Sequence, residues 1–277
     1  MLYVTGDTHG ENVERFSFKR IPALRDLTAD DVIVVCGDTA LMWPDYEDQT
    51  TYTLEQLKNK PFTIIFILGN HDNYDWAETL PQVDVYGGTM RQIVVDDVVY
   101  ENRFIVDSWT VADLSGYHCL LCAHAKSHDI RHLYREDDYE GIAMAKKRHE
   151  WFRVAHKTWW PQETLDIEAI EPFIQEHENE HFDAVLTHDC PGMFCSFASP
   201  DGGGYPRFRS TEQEDYFDSW RSRLNYDVWV HGHMHYEFYA YKDYEAWYRE
   251  GVEKKMFCVY HLIMAIDKLI DYDEWGK

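Results

Sequence analysis

The segment Val32-Ile33-Val34-Val35-Cys36-Gly37-Asp38 is an unbroken apolar run, largely β-branched, that ends in a glycine and an aspartate. Continuous apolar runs of this length are typical of strands that are covered on both faces. Leu2–Thr5 and residues 64–68 have the same form, and a polar side chain closely follows each of them. The segments between the runs, about 11–27 and 51–60, are long enough for crossover helices. The first third of the chain therefore predicts a parallel α/β sheet with polar residues at its strand ends.

The last third of the chain repeats this arrangement. Residues 183–187 predict a strand that leads to His188, and residues 227–230 predict another that leads to a histidine-rich turn. Residues 211–224 between them predict a helix, with Thr211 as its candidate N-cap and a glutamate three residues further on.

The middle of the chain changes character. It contains short β-type runs that predict antiparallel hairpins, which extend or face the first sheet. Residues about 131–160 are charged and aromatic, and we expect them to form a helical insertion that frames the pocket. Residues 193–210, with a glycine-rich loop at 201–204, are a second segment expected at the pocket mouth. The β-type runs are residues 83–85, 92–95, 98–100, 104–106 and 117–123.

Composition limits the classes of function. The 277 residues can bury a sizeable core as one large domain or two smaller ones, and we predict a single domain over residues 1–277. There are 26 basic and 50 acidic residues, which gives a net charge of -24. This field repels phosphate backbones, so no extended nucleic-acid surface is expected. It also repels free anionic substrates, so such a site needs local positive charge, which two divalent cations could supply.

The lack of recognisable targeting segments and the cysteine pattern favour a location inside the cell. No run approaches about 18 apolar residues, so no membrane span is expected. The first residues lack the basic stretch and apolar core of a signal peptide, which favours a cytoplasmic location and reduced cysteines. Cys119 and Cys122 form a C-x-x-C within a run that is typical of a buried strand. A structural role is the main interpretation, and a redox or zinc role is the alternative.

Five short motifs distribute candidate metal ligands along the chain. Each is common alone, because a lone aspartate after a strand is usually a turn residue and a lone histidine usually belongs to the core. Their combination in one order, mostly directly after strand-like runs, is not expected by chance. The motifs are Asp7-Thr8-His9, Gly37-Asp38, Gly69-Asn70-His71-Asp72, Thr187-His188 and Gly232-His233-Met234-His235.

These residue types suit two adjacent metal ions that activate water near neutral pH, because such ions bind carboxylate oxygens and imidazole nitrogens. Asp38 has two carboxylate oxygens to share between cations about 3.5–4 Å apart. Asp7 and His9 are two positions apart in the sequence, so both side chains are expected on the same side of an extended segment. The same holds for His233 and His235. Asn70 adds a neutral carbonyl oxygen, which limits the negative charge of the site.

The motif set resembles the calcineurin-like metallophosphoesterase superfamily, whose pattern is D-x-H, GD, GNH(D/E), H and GH-x-H in that order. The resemblance extends from Asp7 to His235. It implies an α/β fold in which a two-sheet β-sandwich core is flanked by helices. It also implies two bound metal ions, with manganese as the first expectation and iron or zinc as alternatives.

The resemblance also implies a role for each motif residue. His71 would be the catalytic histidine, which meets the substrate phosphate and assists the leaving group. One metal ion would be held by Asp7, His9, Asp38 and His235, and the other by Asp38, Asn70, His188 and His233.

A looser resemblance suggests a subfamily. Residues 69–74, 87–88, 123–129 with Arg131, and 159–163 resemble small bacterial and phage metallophosphoesterases, which are often labelled serine/threonine-phosphatase-like. Their substrates are mostly unknown.

One departure concerns the protein serine/threonine phosphatases themselves. They carry GD-x-x-DRG, whose aspartate orients the catalytic histidine and whose arginine binds phosphate. Here Asp38 is followed by Thr39-Ala40-Leu41-Met42-Trp43, so neither residue is present at that spacing. The partner of His71 is thus unassigned, and Arg131 or Lys126 is a candidate for the missing cation.

Together these observations predict an enzyme, a metal-dependent phosphoester hydrolase in which a hydroxide that bridges the two metal ions attacks phosphorus. A small phosphomonoester or phosphodiester is the expected substrate, since the acidic chain would reject long polyanions. The alternatives are a phosphoprotein phosphatase and a non-catalytic metal-binding scaffold, although no ligand is missing. A nuclease would need a basic groove, which the sequence lacks. The physiological substrate and the oligomeric state stay open.

Overall fold

The structure is a computed structural model that describes residues 1–44, 46–128, 130–197, 210–236, 238–242 and 254–273. The predicted glycine-rich loop at 201–204, and most of the predicted pocket segment 193–210, lie outside the described residues. The described strands are β1 (Leu2–Thr5), β2 (Val32–Cys36), β3 (Thr63–Ile67), β4 (Gln82–Val85), β5 (Gly88–Val95), β6 (Val98–Val106), β7 (Trp109–Leu114), β8 (Tyr117–Cys122), β9 (Leu133–Tyr134), β10 (Arg153–Val154), β11 (His181–Thr187), β12 (Asn225–His231), β13 (Phe238–Lys242), β14 (Lys255–Val259) and β15 (Met264–Ala265).

Eight α-helices connect or cover these strands in the part of the chain that is described. Short 3-10 helices at Pro22–Arg25 and Pro161–Glu163 supplement them. The α-helices are α1 (Asn12–Arg15), α2 (Glu47–Lys58), α3 (Tyr74–Thr79), α4 (Tyr139–Arg148), α5 (Ile167–His177), α6 (Gly192–Phe197), α7 (Glu212–Arg223) and α8 (Ile266–Ile270). None of the helices in the described ranges is long and apolar enough to cross a membrane.

Two sheets form the centre of the molecule. The first has the strand order β15-β1-β2-β3-β6-β5-β4, and the second has the order β13-β14-β12-β11-β8-β7. In each sheet four central strands are parallel and the outer strands are antiparallel. The hairpin strands of the middle segment therefore take both predicted places, since β4 and β5 extend the first sheet while β7 and β8 belong to the second.

The alternation of side chains explains why the strands are apolar throughout. On β11 and β12, Leu186 and Val230 belong to a core cluster that includes residues of both sheets. Their neighbours Val185 and Trp229 point to the opposite face and join a second cluster with Phe217 of α7 and with α5. A strand packed on both faces has no polar side to offer water. The predicted fold, a two-sheet core flanked by helices, is confirmed.

The helices deviate more from expectation than the strands do. The predicted helix at 211–224 is α7, and Thr211 caps it through a reciprocal capping box with Glu214. The segment 11–27 forms α1 and a 3-10 helix rather than one crossover helix. The predicted insertion at 131–160 contains α4 between β9 and β10, which pair with each other in parallel.

Two strand predictions need correction. The runs 98–100 and 104–106 are one nine-residue strand, β6, and β7 was not predicted at all. The polar residues between the two runs suggested a turn, but Arg103 lies in the strand with its side chain only 1% exposed. Its guanidinium donates hydrogen bonds to the carbonyl oxygens of Phe62 at 2.8 Å and Lys60 at 3.2 Å, and also to that of Leu57 at the end of α2. The buried guanidinium thus binds the C-terminal end of α2 and the segment after it to strand β6 of the sheet.

We predict that Arg103→Met lowers the free energy of unfolding by about 3 kcal/mol, because it leaves several buried carbonyl oxygens without a donor. Urea denaturation followed by tryptophan fluorescence measures the change. Arg135→Met is the matched control, since the Arg135 side chain is 83% exposed and pairs with a surface aspartate. Equal stability of the two variants would contradict this account of Arg103.

Candidate metal centre

The predicted ligands lie at the carboxyl ends of parallel strands from both sheets. Asp7, Asp38 and Asn70 follow β1, β2 and β3 of the first sheet. His188 follows β11 of the second sheet, and the histidine-rich turn follows β12. Open α/β sheets place their sites at this end of the strands. The sandwich arrangement brings the two sets of strand ends together at one edge.

The first group of side chains contains Asp7, His9, Asp38 and His235, whose potential ligand atoms all lie within 4.8 Å of one another. His235 Nε2 is 2.9 Å from Asp7 Oδ2 and 3.0 Å from His9 Nε2. The two aspartates are buried, whereas His9 and His235 are exposed. One side of this group therefore faces solvent.

The second group contains Asp38, His188 and His233 within the same limit of 4.8 Å. His188 Nε2 lies 3.1 Å from Asp38 Oδ1 and 3.2 Å from the side-chain oxygen of Asn70. Asp38 is thus common to both groups, as predicted for a bridging carboxylate. The structure brings all seven predicted ligands to the two groups, and their function as ligands remains a prediction.

The spacing and chemistry of the groups fit two cations. Atoms that bind one ion at about 2.1 Å lie roughly 3 Å apart, which matches the closest pairs in both groups. Asp7 Oδ2 is buried and accepts no hydrogen bond of acceptable geometry, although His235 lies beside it. Mixed carboxylate, amide and imidazole donors suit manganese, iron or zinc rather than calcium.

Asp38 and the histidines around it interact strongly through their charges. Burial favours the neutral form of Asp38, but the charges of His188 and His71 hold its pKa well below the usual range. Burial likewise opposes the charge on His188, but Asp38 raises the pKa of His188 to about 10. The ionised carboxylate therefore keeps a proton on His188, which a metal ion would have to displace. Burial and the charge of His188 lower the pKa of His233 well below its usual value, so this imidazole is neutral.

Hydrogen bonds on the far side of the ligands set their orientation. His188 Nδ1 donates to the carbonyl oxygen of Cys36 at 2.7 Å, which directs Nε2 toward Asp38. The backbone N–H of His233 donates to Asp7 Oδ1 at 3.0 Å, which directs Oδ2 toward His235. Each bond links one sheet to the other.

A family model described as calcineurin-like phosphoesterase matches residues 1–237. The chain belongs to this family. Membership implies metal-dependent phosphoester hydrolysis. Among curated proteins no relative matches. A solved protein of unknown function from Aquifex aeolicus is similar, with 19% sequence identity over 62% of this chain and 86% of that chain. The TM-score is 0.24, which is too low for this structure to support any conclusion about the chain.

The glycines of the family motifs leave room for the ligands. A Cβ on Gly37 would lie 1.9 Å from His188 Nδ1, and Gly37 has a left-handed φ of +94°. A Cβ on Gly69 would lie 2.3 Å from Asp38 Oδ1 and 2.5 Å from His188 Nε2. Contacts this close are forbidden, so the backbone approaches the ligands only where no side chain is present.

Four of the seven predicted ligands also have left-handed backbone conformations, which are uncommon for residues other than glycine. Strained backbone of this kind is concentrated at functional sites. The φ values are 43° at His9, 49° at Asp38, 61° at His233 and 53° at His235.

Two residues that sequence reasoning missed control the Asn70 amide. Asn70 Nδ2 donates to Ser127 Oγ at 3.1 Å, which leaves the amide oxygen facing His188. Ser127 Oγ donates in turn to Glu163 Oε2 at 3.0 Å, and the Ser127 N–H donates to Oε1 at 2.8 Å. Burial raises the pKa of Glu163 to about 7, although the hydrogen bonds from Ser127 oppose the shift. Both residues belong to stretches quoted for the looser resemblance, which was the available signal.

The predicted catalytic residue, His71, lies beside the two groups. Its backbone N–H donates to Asp38 Oδ1 at 2.8 Å, and its ring centroid lies 5.4 Å from that of His9. Trp43 stacks on the imidazole at 6.1 Å with an interplanar angle of 25°. The guanidinium of Arg153, which sequence reasoning also missed, lies 3.3 Å from His71 Nε2.

The first prediction for the centre concerns Gly37→Ala. We expect the metal content to fall from about two ions per chain to about one, because the new Cβ displaces His188 from the second group. Metal analysis after manganese loading measures the content. Gly116→Ala is the control, because Gly116 has a similar φ of +88° but its Cβ would meet no atom within 4 Å. Full metal content in Gly37→Ala would refute the steric argument.

The second prediction concerns Ser127→Ala, which removes the acceptor of the Asn70 amide. Loss of such an orienting partner should weaken manganese binding at the second group by about 10- to 100-fold. Titration with graded chelator concentrations measures the affinity. Ser115→Ala, which removes a hydroxyl from an exposed hairpin turn, should have no effect. Unchanged affinity in Ser127→Ala would mean that Asn70 is oriented by other contacts or is not a ligand.

Proposed function

We propose that the protein is a dinuclear metal-dependent hydrolase of a small phosphomonoester or phosphodiester. The observation that carries this proposal is the shared position of Asp38 in two groups of ligand atoms. A carboxylate in that position is the arrangement expected for two ions that act together on one phosphoryl group. Manganese is the expected metal, and iron or zinc would suit the same donors.

The residues of the chain supply distinct parts of the reaction. Asp7, His9, Asp38 and His235 would hold one ion, and Asn70, His188 and His233 would complete the site of the other with Asp38. When bound, these ions supply a hydroxide near neutral pH and neutralise the phosphoryl charge. His71 would donate a hydrogen bond or a proton to the departing ester oxygen, because its half-buried ring lies next to the exposed ring of His9.

The small substrate follows from charge. With 50 acidic residues against 26 basic ones, the protein surface repels long polyanions but still admits a compact ester to two cations. The complete ligand set argues against a non-catalytic scaffold. A phosphoprotein substrate is the main rival, although the GD-x-x-DRG motif of the protein phosphatases is absent.

The test is hydrolysis of a panel of aryl phosphates, nucleotides and phosphopeptides with added manganese. We expect turnover of the small esters and a loss of at least about a thousand-fold in Asp38→Asn, because the bridging charge is removed. Asp96→Asn is the matched control, since Asp96 has the same φ of 49° but is exposed in a hairpin.

Three outcomes would contradict the proposal. Fewer than about one metal ion per chain after loading would exclude the dinuclear centre. Full metal loading without turnover of any ester would favour the scaffold interpretation. Much faster turnover of phosphopeptides than of small esters would identify a phosphoprotein phosphatase instead.

A further inference from the structure

Three potential metal ligands lie together at the end of the second sheet that is opposite to the metal centre. His181 and Asp183 belong to β11, and Asp227 belongs to β12. One ligand atom from each residue, an imidazole nitrogen and two carboxylate oxygens, lies within 4.8 Å of the other two. His181 Nε2 is 3.0 Å from Asp227 Oδ1. We call this group the amino-end triad, because it lies at the amino ends of both strands.

The pairing of the two strands produces this arrangement. Phe182 pairs with Tyr226 in a parallel register, so the next residues along the strands, Asp183 and Asp227, also lie opposite each other. His181 precedes Asp183 by two positions, and side chains two positions apart lie on the same side of a strand. Register and alternation together therefore bring the three side chains to one place.

The two aspartates are an unfavourable pair as they stand. Like charges directly opposite each other on neighbouring strands destabilise a sheet. In the part of the chain that the structure describes, neither carboxylate forms an ion pair with a lysine or an arginine, and His181 is the cationic partner of Asp227. Asp183 Oδ2 accepts the backbone N–H of His118 at 2.6 Å, which offsets only part of its charge. A divalent cation between the carboxylates would convert their repulsion into attraction to a shared ion.

The donor set suits zinc. Zinc binds imidazole nitrogen and carboxylate oxygen, and three protein ligands leave a further position to water. Carboxylates alone would suit calcium or magnesium equally well, and the imidazole shifts the preference to a transition metal. Ligand atoms about 2.1 Å from one ion lie roughly 3 Å apart, a spacing that His181 and Asp227 already have. Their side chains are 49% and 42% exposed, so an ion can enter directly from solvent.

We propose that His181, Asp183 and Asp227 bind a zinc ion, which joins the amino ends of β11 and β12. This ion is separate from the two of the candidate metal centre. His188, which follows β11, is five positions beyond Asp183, or about 17 Å along an extended strand at about 3.3 Å per residue. The zinc ion contacts no substrate at that distance. It fastens the two strands whose opposite ends carry His188 and the histidine-rich turn.

The first test counts metal ions. Protein loaded with manganese and then freed of excess manganese is dialysed against micromolar zinc, and both metals are measured by elemental analysis. The sum of the two metals is the informative quantity, because zinc that replaces manganese in the centre leaves the sum unchanged. We expect about three ions per chain in the wild type and about two in Asp227→Asn and in His181→Gln. Loss of either ligand should weaken zinc binding by at least about 100-fold.

Asp113→Asn is the matched control for charge. Asp113 pairs with His118 at the same end of the second sheet, at 2.7 Å, but it is not a member of the triad. This variant removes the same charge as Asp227→Asn, and we expect it to retain about three ions. Loss of the zinc ion in the control would contradict the proposal, because general surface charge rather than the three ligands would then hold the ion.

The melting temperature gives a second readout. Zinc should raise the melting temperature of the manganese-loaded wild type and leave that of Asp227→Asn unchanged, because an ion that binds the folded state stabilises it. Without zinc, Asp227→Asn should melt no lower than the wild type, since it removes one of two opposed charges. A variant that is less stable without zinc would indicate a structural role for Asp227 instead of a ligand role.

Two results of the metal count would overturn the proposal. One is a zinc-treated wild type that holds no more ions than Asp227→Asn. The other is a third ion that both triad variants retain. The count also separates this inference from the proposed function, because it needs no activity. If the centre failed to load manganese, a difference of one ion between the wild type and Asp227→Asn would still support the zinc site.

Discussion

The carboxylate of Asp38 is the point on which the arrangement of the centre depends. It is buried, it accepts the backbone N–H of His71, and it lies 3.1 Å from His188. A buried negative charge is costly unless donors or cations surround it. The strand ends of both sheets provide those donors, and the two groups of ligand atoms share this one side chain. The requirement to neutralise Asp38 therefore favours the close approach of the two sets of strand ends at this edge.

A second constraint is the space around that carboxylate. The ligands approach one another so closely that two neighbouring backbone positions admit only hydrogen in place of a side chain. Several ligands themselves adopt left-handed backbone conformations, which cost free energy unless the surrounding structure enforces them. The enforcing structure is the pair of sheets, whose parallel strands end at the same level. Rigid strands thus support a locally strained centre, which is a common division of roles in enzymes.

The parts of this molecule that sequence could predict are those encoded by contiguous residues. Unbroken apolar runs predicted β1, β2, β3, β11 and β12, and the motifs after them predicted which side chains would meet. Prediction was poorer where a distant contact overrides local pattern. The polar stretch around Arg103 looked like a turn, but a helix end elsewhere in the chain supplies its hydrogen-bond partners. Ser127, Arg153 and Glu163 were missed as site residues for the same reason, since no local spacing relates them to Asn70 or His71.

The bond from His188 to the Cys36 carbonyl joins residues that are 152 positions apart in the chain. Such a contact cannot form during synthesis until all of β11 and His188 itself have left the ribosome, and the turn after β12 follows later still. The centre consequently stays incomplete while the second sheet is synthesised, although Asp7, His9 and Asp38 have already been made. Because the contacts that complete the centre are long-range and such pairing is slow, metal capture would report that the two sheets have docked. A chain truncated before the second sheet would retain four of the seven predicted ligands without the geometry that makes them useful.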